Sequence, residues 1–513
     1  MIVLLHNGKK VISITDRESW KPVSFKSETL SAVLYELAGK FKNRTLVWVD
    51  QDVVEKADFD FIRIHKAPNT LLSYAVENNY LLHEHFGLID QSVFFKINRA
   101  VCFSTYLMSA DLGCIHSDTL GHFKNTIPAY SDFNLFLTVL AKSGMPKGLL
   151  CYSQPQLIRS DSTVKEVNYS ENQKNTYSFL GATKSKVWLL LYEFQRLIYT
   201  KSLNPFYFFK SLFEKQIDTN PLKDLPNVNS GLKTISGNPS IDVVIPTMGR
   251  KKVLHQTLRD LAAQTVLPKS VILVEQNPDF GTSTDLDYLE TESWPFAIKH
   301  TFTHQTGACN ARNLALDEVT ADWVFLADDD LRIPADFLEN SFRFIVQNKP
   351  EAFTVSCLQN GEVERVESVI QWGAFGSGCS IVKHSVLKNI RFDTAFEYGF
   401  GEDADFGMQL RNRGISILYT PFLKLIHLKA ASGGFRTQLE KPWFSEETQP
   451  KPAPTVMAFN LKHSTRFQIL GYKTLLFLKF YKNQPVRNPF AYLRQMHKRW
   501  KVSKIWAQKL LAT

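Results

Sequence analysis

Several things are scarce or missing in this sequence, and each absence excludes something. The six cysteines, Cys102, Cys114, Cys151, Cys309, Cys357 and Cys379, form no C-x-x-C pair and have no companion histidine at zinc spacing. That argues against a disulfide framework or a structural zinc and fits reduced, mostly buried thiols. No apolar run approaches the roughly 20 residues that a membrane span requires. Met1 to Gly8 has no basic n-region and too short an apolar core for a signal peptide, so a cytoplasmic setting is expected. Acidic residues stop before Thr448: from there to Thr513 stand thirteen Lys or Arg and no Asp or Glu. The rest of the chain is slightly acidic, so the net charge of +10 belongs to a tail. No nucleic-acid partner is expected.

With 513 residues and 44% hydrophobic content, the chain is long enough for two or three domains with proper cores. Ile2–Leu5 and Val11–Ile14 flank Asn7-Gly8 and predict a hairpin. Leu30, Val33, Leu34 and Leu37 predict a helix ending near Gly39. Leu46–Val49 reads as a strand ending in Asp50-Gln51-Asp52, an acidic pair with no complete nucleotide-binding half before it. Helices are expected over Leu71–His85 and Phe133–Lys142, and His83, His85, His116 and His122 read as structural or surface residues. Lys184–Lys215 is apolar and aromatic, one or two helices interrupted at Asn204-Pro205. Asp218–Ser240 collects Asn, Pro, Gly and Ser and marks a boundary. The expected division is an α/β domain over 1–215, a linker over 216–239, a second α/β domain over 240–430 and a basic helical extension over 431–513.

The second domain alternates strands and helices. Ile241–Ile245 is a strand, Pro246–Arg250 a loop, and Leu254, Thr257, Leu258 and Leu261 the buried face of a helix. Val271–Val274 ends at Glu275, and Ala297–Phe302 leads to a helix over Asn310–Glu318 that starts with Arg312 and Asn313. Trp323–Ala327 then delivers Asp328-Asp329-Asp330. This order predicts a doubly wound, mostly parallel sheet with ligands at the carboxyl ends of its strands. Three adjacent carboxylates repel one another and need water or a cation. An acidic turn and a metal site both answer that need; the polar residues gathered at the strand ends favour the site.

Val-Ile-Pro-Thr at 244–247, Gly307-Ala308-Cys309-Asn310-Ala311-Arg312-Asn313, the Asp triplet and Gly401-Glu402-Asp403-Ala404-Asp405-Phe406 together resemble family 2 glycosyltransferases of the GT-A fold, over about 240–429. The resemblance implies a nucleotide-diphosphate sugar donor and a divalent metal, manganese or magnesium. It puts Asp330 on the metal, Asp328 on the metal or the ribose hydroxyls, and Asp329 on the nucleotide side. Thr247 and Glu275 fall against base and ribose, although the family usually has Asp where Glu275 stands. Arg250 joins this group, and Arg312 or Asn313 lies near the nucleotide. Asp403 becomes the general base, expected near its reference pKa of about 4, and Glu402 orients the acceptor. His427 reads as a packed strand histidine or, as in some relatives, a further metal ligand that would favour manganese. Trp372 either stacks on a sugar face or packs in the core.

The function implied is inverting transfer of a sugar to a hydroxyl of a glycan or lipid-linked acceptor, in cell-surface polysaccharide assembly. A sugar nucleotidyltransferase would want a glycine-rich basic loop after its first strand, which Pro246–Arg250 lacks. A non-enzymatic binder of membranes or nucleic acid would account for the tail alone. In that tail Arg494, Lys498 and Lys501 share one helical face, with Leu493, Met496 and Trp500 on the adjoining one. Such a helix can lie on the anionic inner face of the cell membrane, or brace the catalytic domain.

Overall fold

The computed structural model describes residues 1–65, 68–76, 81–96, 98–159, 173–220, 222–225, 239–397, 399–430 and 441–512. Most of the expected linker and Tyr398 lie outside the described residues. Two compact units are present: Met1–Asn227 with Ser464–Lys479, and Val228–His463 with Phe480–Thr513. The stretch 464–479, expected in the C-terminal extension, therefore goes with the first unit.

The first unit holds an eight-stranded sheet of order β3-β2-β1-β4-β7-β5-β8-β6. Its strands are β1 (Ile2–His6), β2 (Val11–Asp16), β3 (Lys21–Pro22), β4 (Thr45–Asp50), β5 (Thr70–Tyr74), β6 (Phe103–Ser104), β7 (Leu112–His116) and β8 (Leu150–Ser153). Its helices are α1 (Leu30–Lys40), α2 (Phe59–Ile64), α3 (Ser117–Phe123), α4 (Phe133–Gly144), α5 (Gln173–Thr183), α6 (Lys186–Thr200) and α7 (Pro205–Leu212). The hairpin turns at Gly8, with φ +80°, and Thr29 caps α1 by accepting from Ala32 N. Trp48 is wholly buried; a Cβ at Gly113 would lie 2.3 Å from its ring, so only glycine fits opposite it. The helix expected over Leu71–His85 is not formed at its start, where β5 runs instead. Leu71–Tyr74 is buried between β7 and β8, and a run buried on both faces has no alternation to separate strand from helix.

The second unit holds a nine-stranded sheet of order β11-β10-β9-β12-β16-β14-β17-β13, with β15 paired to β17. These are β9 (Ile241–Thr247), β10 (Ser270–Gln276), β11 (Ala297–Thr303), β12 (Trp323–Ala327), β13 (Leu331–Arg332), β14 (Ala352–Leu358), β15 (Ile370–Gln371), β16 (Cys379–Lys383) and β17 (Ile417–His427). The run β11-β10-β9-β12 is parallel, and β16 lies antiparallel between β12 and β14. Between the strands come α8 (Lys251–Ala262), α9 (Tyr288–Thr291), α10 (Ala308–Asp317), α11 (Phe337–Asn348) and α12 (Glu402–Asn412). Leu254, Thr257, Leu258 and Leu261 are the buried residues of α8, as their spacing predicts.

Three helices follow: α13 (Pro454–His463), α14 (Arg466–Tyr481) and α15 (Pro489–Leu510). Met496, Ala507 and Leu510 of α15 are buried, and Trp500 packs beside the second unit's core. Most of the apolar stripe that the sequence offered to a membrane is thus packed as a brace, while Arg494, Lys498, Lys501 and Leu493 stay exposed.

Candidate active site

Because β9 and β12 pair in parallel with Val244 opposite Leu326, Thr247 and the Asp triplet emerge at the same sheet end. Thr247 Oγ1 donates to Asp329 Oδ2 at 2.8 Å and Arg250 Nη1 to Asp329 Oδ1 at 2.6 Å. Thr257 Oγ1, which the sequence marks only as a core position, donates to the Asp329 carbonyl at 2.9 Å. Burial pushes the Asp329 carboxyl up to about 6 against the pull of Arg250 and Thr247. Asp329 thus directs its oxygens at the loop that follows β9.

Asp330 is held from the other side. The antiparallel pairing of β13 with β17 sets Leu331 opposite His427, and His427 Nε2 comes within 3.3 Å of Asp330 Oδ1. Ala430 N donates to Asp330 Oδ2, and Leu428 N to the Asp330 carbonyl, each at 2.9 Å. Burial alone would raise the Asp330 carboxyl, but His427, the Ala430 N–H and Arg250 outweigh it and hold it below its ordinary value. The pairing with Asp330 correspondingly raises His427.

Asp328 takes Arg312 Nη2 at 3.1 Å, and a Cβ at Gly378 would lie 2.1 Å from Asp328 Oδ2. Glycine there leaves the space the carboxylate fills. Asp328, Asp330 and His427 each offer a ligand atom, all within 4.8 Å of one another. Asp330 Oδ1 is buried and accepts no hydrogen bond of good geometry. Two carboxylates, an imidazole and an unsatisfied buried oxygen fit a divalent cation of the manganese or magnesium kind.

Facing this corner is the first turn of α12. Gly401 precedes it at φ +134°, where a Cβ would meet the Phe396 ring at 2.6 Å. Glu402 and Asp403 occupy the helix N-terminus, which favours negative charge. Ser377 Oγ donates to Asp403 Oδ1, joined by Ser377 N at 3.3 Å. Burial nevertheless raises Asp403 against Arg312 and Ser377, and burial followed by the charge of Asp403 pushes Glu402 up to about 7. An Asp403 near its reference value, as expected from sequence, is therefore corrected upward by desolvation.

Arg312 is buried between the two carboxylate groups: it pairs with Asp328 and feels the charges of Asp403 and Glu402, and its Nε and Nη1 have no hydrogen-bond partner. Asp405, two residues past Asp403, is wholly buried. It accepts from His463 Nε2 at 2.6 Å, Lys462 Nζ at 2.8 Å and Gln409 Nε2 at 2.8 Å, which ties α12 to α13.

One cavity of about 590 Å³ brings together Thr247, Arg250, Arg312, Asp328, Asp329, Asp330, Glu402, Asp403 and His427. Gln276, Ser377, Phe400 and Lys429 also line it, and nothing in the sequence had set them apart. Three expected residues are not among those lining it. Glu275 is engaged by Thr284 Oγ1 at 2.5 Å and His300 Nε2 at 3.0 Å. Asn313 uses both ends of its amide on the Phe392 backbone, each at 2.8 Å. Trp372 stacks on Tyr419 with ring centres 4.5 Å apart and lines a separate hollow of about 450 Å³ with Cys357 and Cys379. None of the six cysteines is in a disulfide.

The cleft lies at the carboxyl ends of parallel strands, where open α/β sheets bind their ligands, with acids on two opposed walls and a buried arginine between them. Residues 242–395 match the family model described as glycosyl transferase family 2. The match ends before Glu402, Asp403 and His427. The O-antigen biosynthesis protein RfbC of Myxococcus xanthus is 21% identical over 233 residues, 39% of this chain, and the chain spans 18% of that protein's length. Among solved structures, S. aureus TarS with UDP-GlcNAc is similar at 17% identity and TM-score 0.35, covering 51% of this chain and 71% of that one. The mannosyltransferase PcManGT of Pyrobaculum calidifontis with GDP-Man and Mn2+ is similar at 18% identity and TM-score 0.29, covering 54% and 75%.

Proposed function

We propose that this chain is an inverting glycosyltransferase that moves a sugar from a nucleotide-diphosphate donor to a hydroxyl of a glycan or lipid-linked acceptor. The observation that carries the reading is the pairing, across one cavity, of the Asp328–Asp330–His427 ligand set with Asp403. Asp403 takes the proton of the acceptor hydroxyl, the acceptor oxygen bonds to the anomeric carbon, and the bond from that carbon to the diphosphate oxygen breaks. Ser377 fixes the Asp403 carboxylate, and the buried Arg312 charge favours its ionised form. Glu402 orients the acceptor beside it. Thr247, Arg250 and Asp329 support the nucleotide end. A divalent cation held by Asp328, Asp330 and His427 would supply neutralising charge for the departing diphosphate.

The similarity to an O-antigen biosynthesis protein of M. xanthus supports a role in cell-surface polysaccharide assembly. With Met496 buried, what α15 still offers a membrane is its exposed Arg494, Lys498 and Lys501 with the exposed Phe490 and Leu493 near them in sequence. No helix among the described residues is long and apolar enough to cross a membrane.

Thermal stabilisation by a panel of UDP-, GDP- and dTDP-sugars, with and without manganese, tests the reading. One donor should raise the melting temperature, and only with the metal. Stabilisation by a nucleoside triphosphate together with a sugar 1-phosphate, with release of pyrophosphate, would overturn it in favour of a nucleotidyltransferase.

A further inference from the structure

Helix α6 is apolar on two opposite sides. Leu189 and Tyr192 are buried in the core of the first unit. At about 100° per residue, Val187, Leu190, Phe194 and Leu197 fall together on the reverse side, and all four are exposed, Val187 at 70%. The next helix repeats the arrangement. Ser211 of α7 is buried and Phe208 half-buried, while Phe206 and Phe209 point outward with Phe213 just past the helix end, at 71%, 59% and 89% exposure. A helix of a soluble domain normally carries one apolar stripe and a polar reverse face. Two consecutive helices here carry a second apolar stripe rich in phenylalanine.

Within the stretch that forms these stripes the exposed charges have one sign, and the first exposed acid beyond it is Asp218. From Lys184 to Lys215 there are six basic residues and two acidic ones. The exposed charges are Lys201, Lys210 and Lys215. Both acids are turned inward: Glu193 is buried and accepts from Asn204 N at 3.0 Å, and the half-buried Glu214 accepts from Ser178 Oγ at 3.1 Å. Phenylalanine and leucine flanked by lysine match the boundary between acyl chains and anionic headgroups. A second copy of the chain fits less well, because two such faces brought together would oppose like charges around their rims.

We infer that the outer face of α6 and α7 docks this chain on an anionic lipid bilayer. The apolar side chains enter the acyl boundary while Lys201, Lys210 and Lys215 meet lipid phosphates. Neither helix crosses the bilayer. This attachment is separate from the basic tail, and it is read without turnover, so it stands or falls independently of the glycosyltransferase assignment.

Co-sedimentation of the full chain with vesicles of phosphatidylcholine alone, or mixed with phosphatidylglycerol, tests it. The wild type should pellet with the anionic vesicles. The combined Phe206→Ser, Phe209→Ser and Phe213→Ser variant should bind them about tenfold more weakly or worse, with an unchanged melting temperature because these side chains are already in water. Lys201→Glu, Lys210→Glu and Lys215→Glu together should remove the preference for anionic lipid. Arg494→Ala, Lys498→Ala and Lys501→Ala together should leave most of the binding in place. The inference is overturned if the phenylalanine variant binds like the wild type, or if the tail variant alone releases the chain. It is also overturned if the wild type ignores vesicles and sedimentation velocity shows a dimer that the phenylalanine variant loses, which would make the face a contact between copies.

Discussion

Each unit contains a parallel strand pair whose second member ends in carboxylates, and the two ends have little else in common. In the first unit β4 pairs with β1 and runs into Asp50 and Asp52. Asp52 N donates to Asp50 Oδ1 at 3.0 Å, and Asp50 Oδ2 stands 3.5 Å from Nδ1 of the buried His6, whose Nε2 is 3.0 Å from the Ala110 carbonyl. Burial lowers His6, so Asp50 faces an imidazole biased towards neutrality. Among the described residues no arginine or lysine is paired with either acid. In the second unit β12 pairs with β9, and its acids meet Arg250, Arg312 and His427, brought in by a loop, a helix and a distant strand. Carboxylates at a strand end become a site where other elements surround them with cations and leave a hollow; otherwise they close a turn.

The largest break in this contrast should come from Asp403→Asn. We expect turnover to fall by about 10²- to 10⁴-fold, the usual contribution of a general base, while thermal stabilisation by the donor persists. Asp330→Ala should instead weaken manganese-dependent donor binding by about tenfold or more, as calorimetry with and without the metal will show. Asp50→Ala should leave the same titration unchanged, and an equal loss in both variants would erase the difference between the two strand ends.

A smaller effect separates Glu402 from ordinary surface acids. Its folded pKa is raised, so its contribution to stability is complete below the unfolded value near 4.5 and is lost as pH climbs through about 7. Glu402→Gln should therefore raise the melting temperature at pH 8 by roughly 2–4 °C, and leave it unchanged near pH 4. A gain of equal size at both values would show that the residue's charge is not the cause. Smallest of all, Asp52→Ala should stay within about 0.5 kcal/mol of the wild type in denaturant unfolding.

Much of the second unit was legible in the sequence because its signals are local. The strands are short apolar runs, α8 shows its buried face at helical spacing, and the acids stand at the ends of both. What could not be read depends on partners far along the chain. Asp405 sits in the motif Gly401–Phe406, but the sequence does not show that His463 and Lys462 reach it. His427 reads from sequence as either core or ligand, and its place beside Asp330 depends on the pairing of β13 with β17, which the sequence does not show. The family resemblance places Glu275 and Asn313 at the nucleotide, but the sequence does not show that His300 Nε2 stands 3.0 Å from Glu275 or that Asn313 bonds the Phe392 backbone. Trp372 lay between sugar and core, and its ring is against Tyr419. In the tail, the helical pattern of Met496 and Trp500 was real but could not say which surface would cover it.

The hydrogen bond from Ala430 N to Asp330 spans 100 positions of sequence. During synthesis the triplet therefore leaves the ribosome long before β17 exists to lie beside β13. Until then the buried end of that acidic corner has neither its imidazole nor its two amide donors. A chain cut short between the two segments would carry the acids together with Arg250 and Arg312 but without His427 and the two amide donors, so the acidic corner is completed only with β17 and the residues just after it.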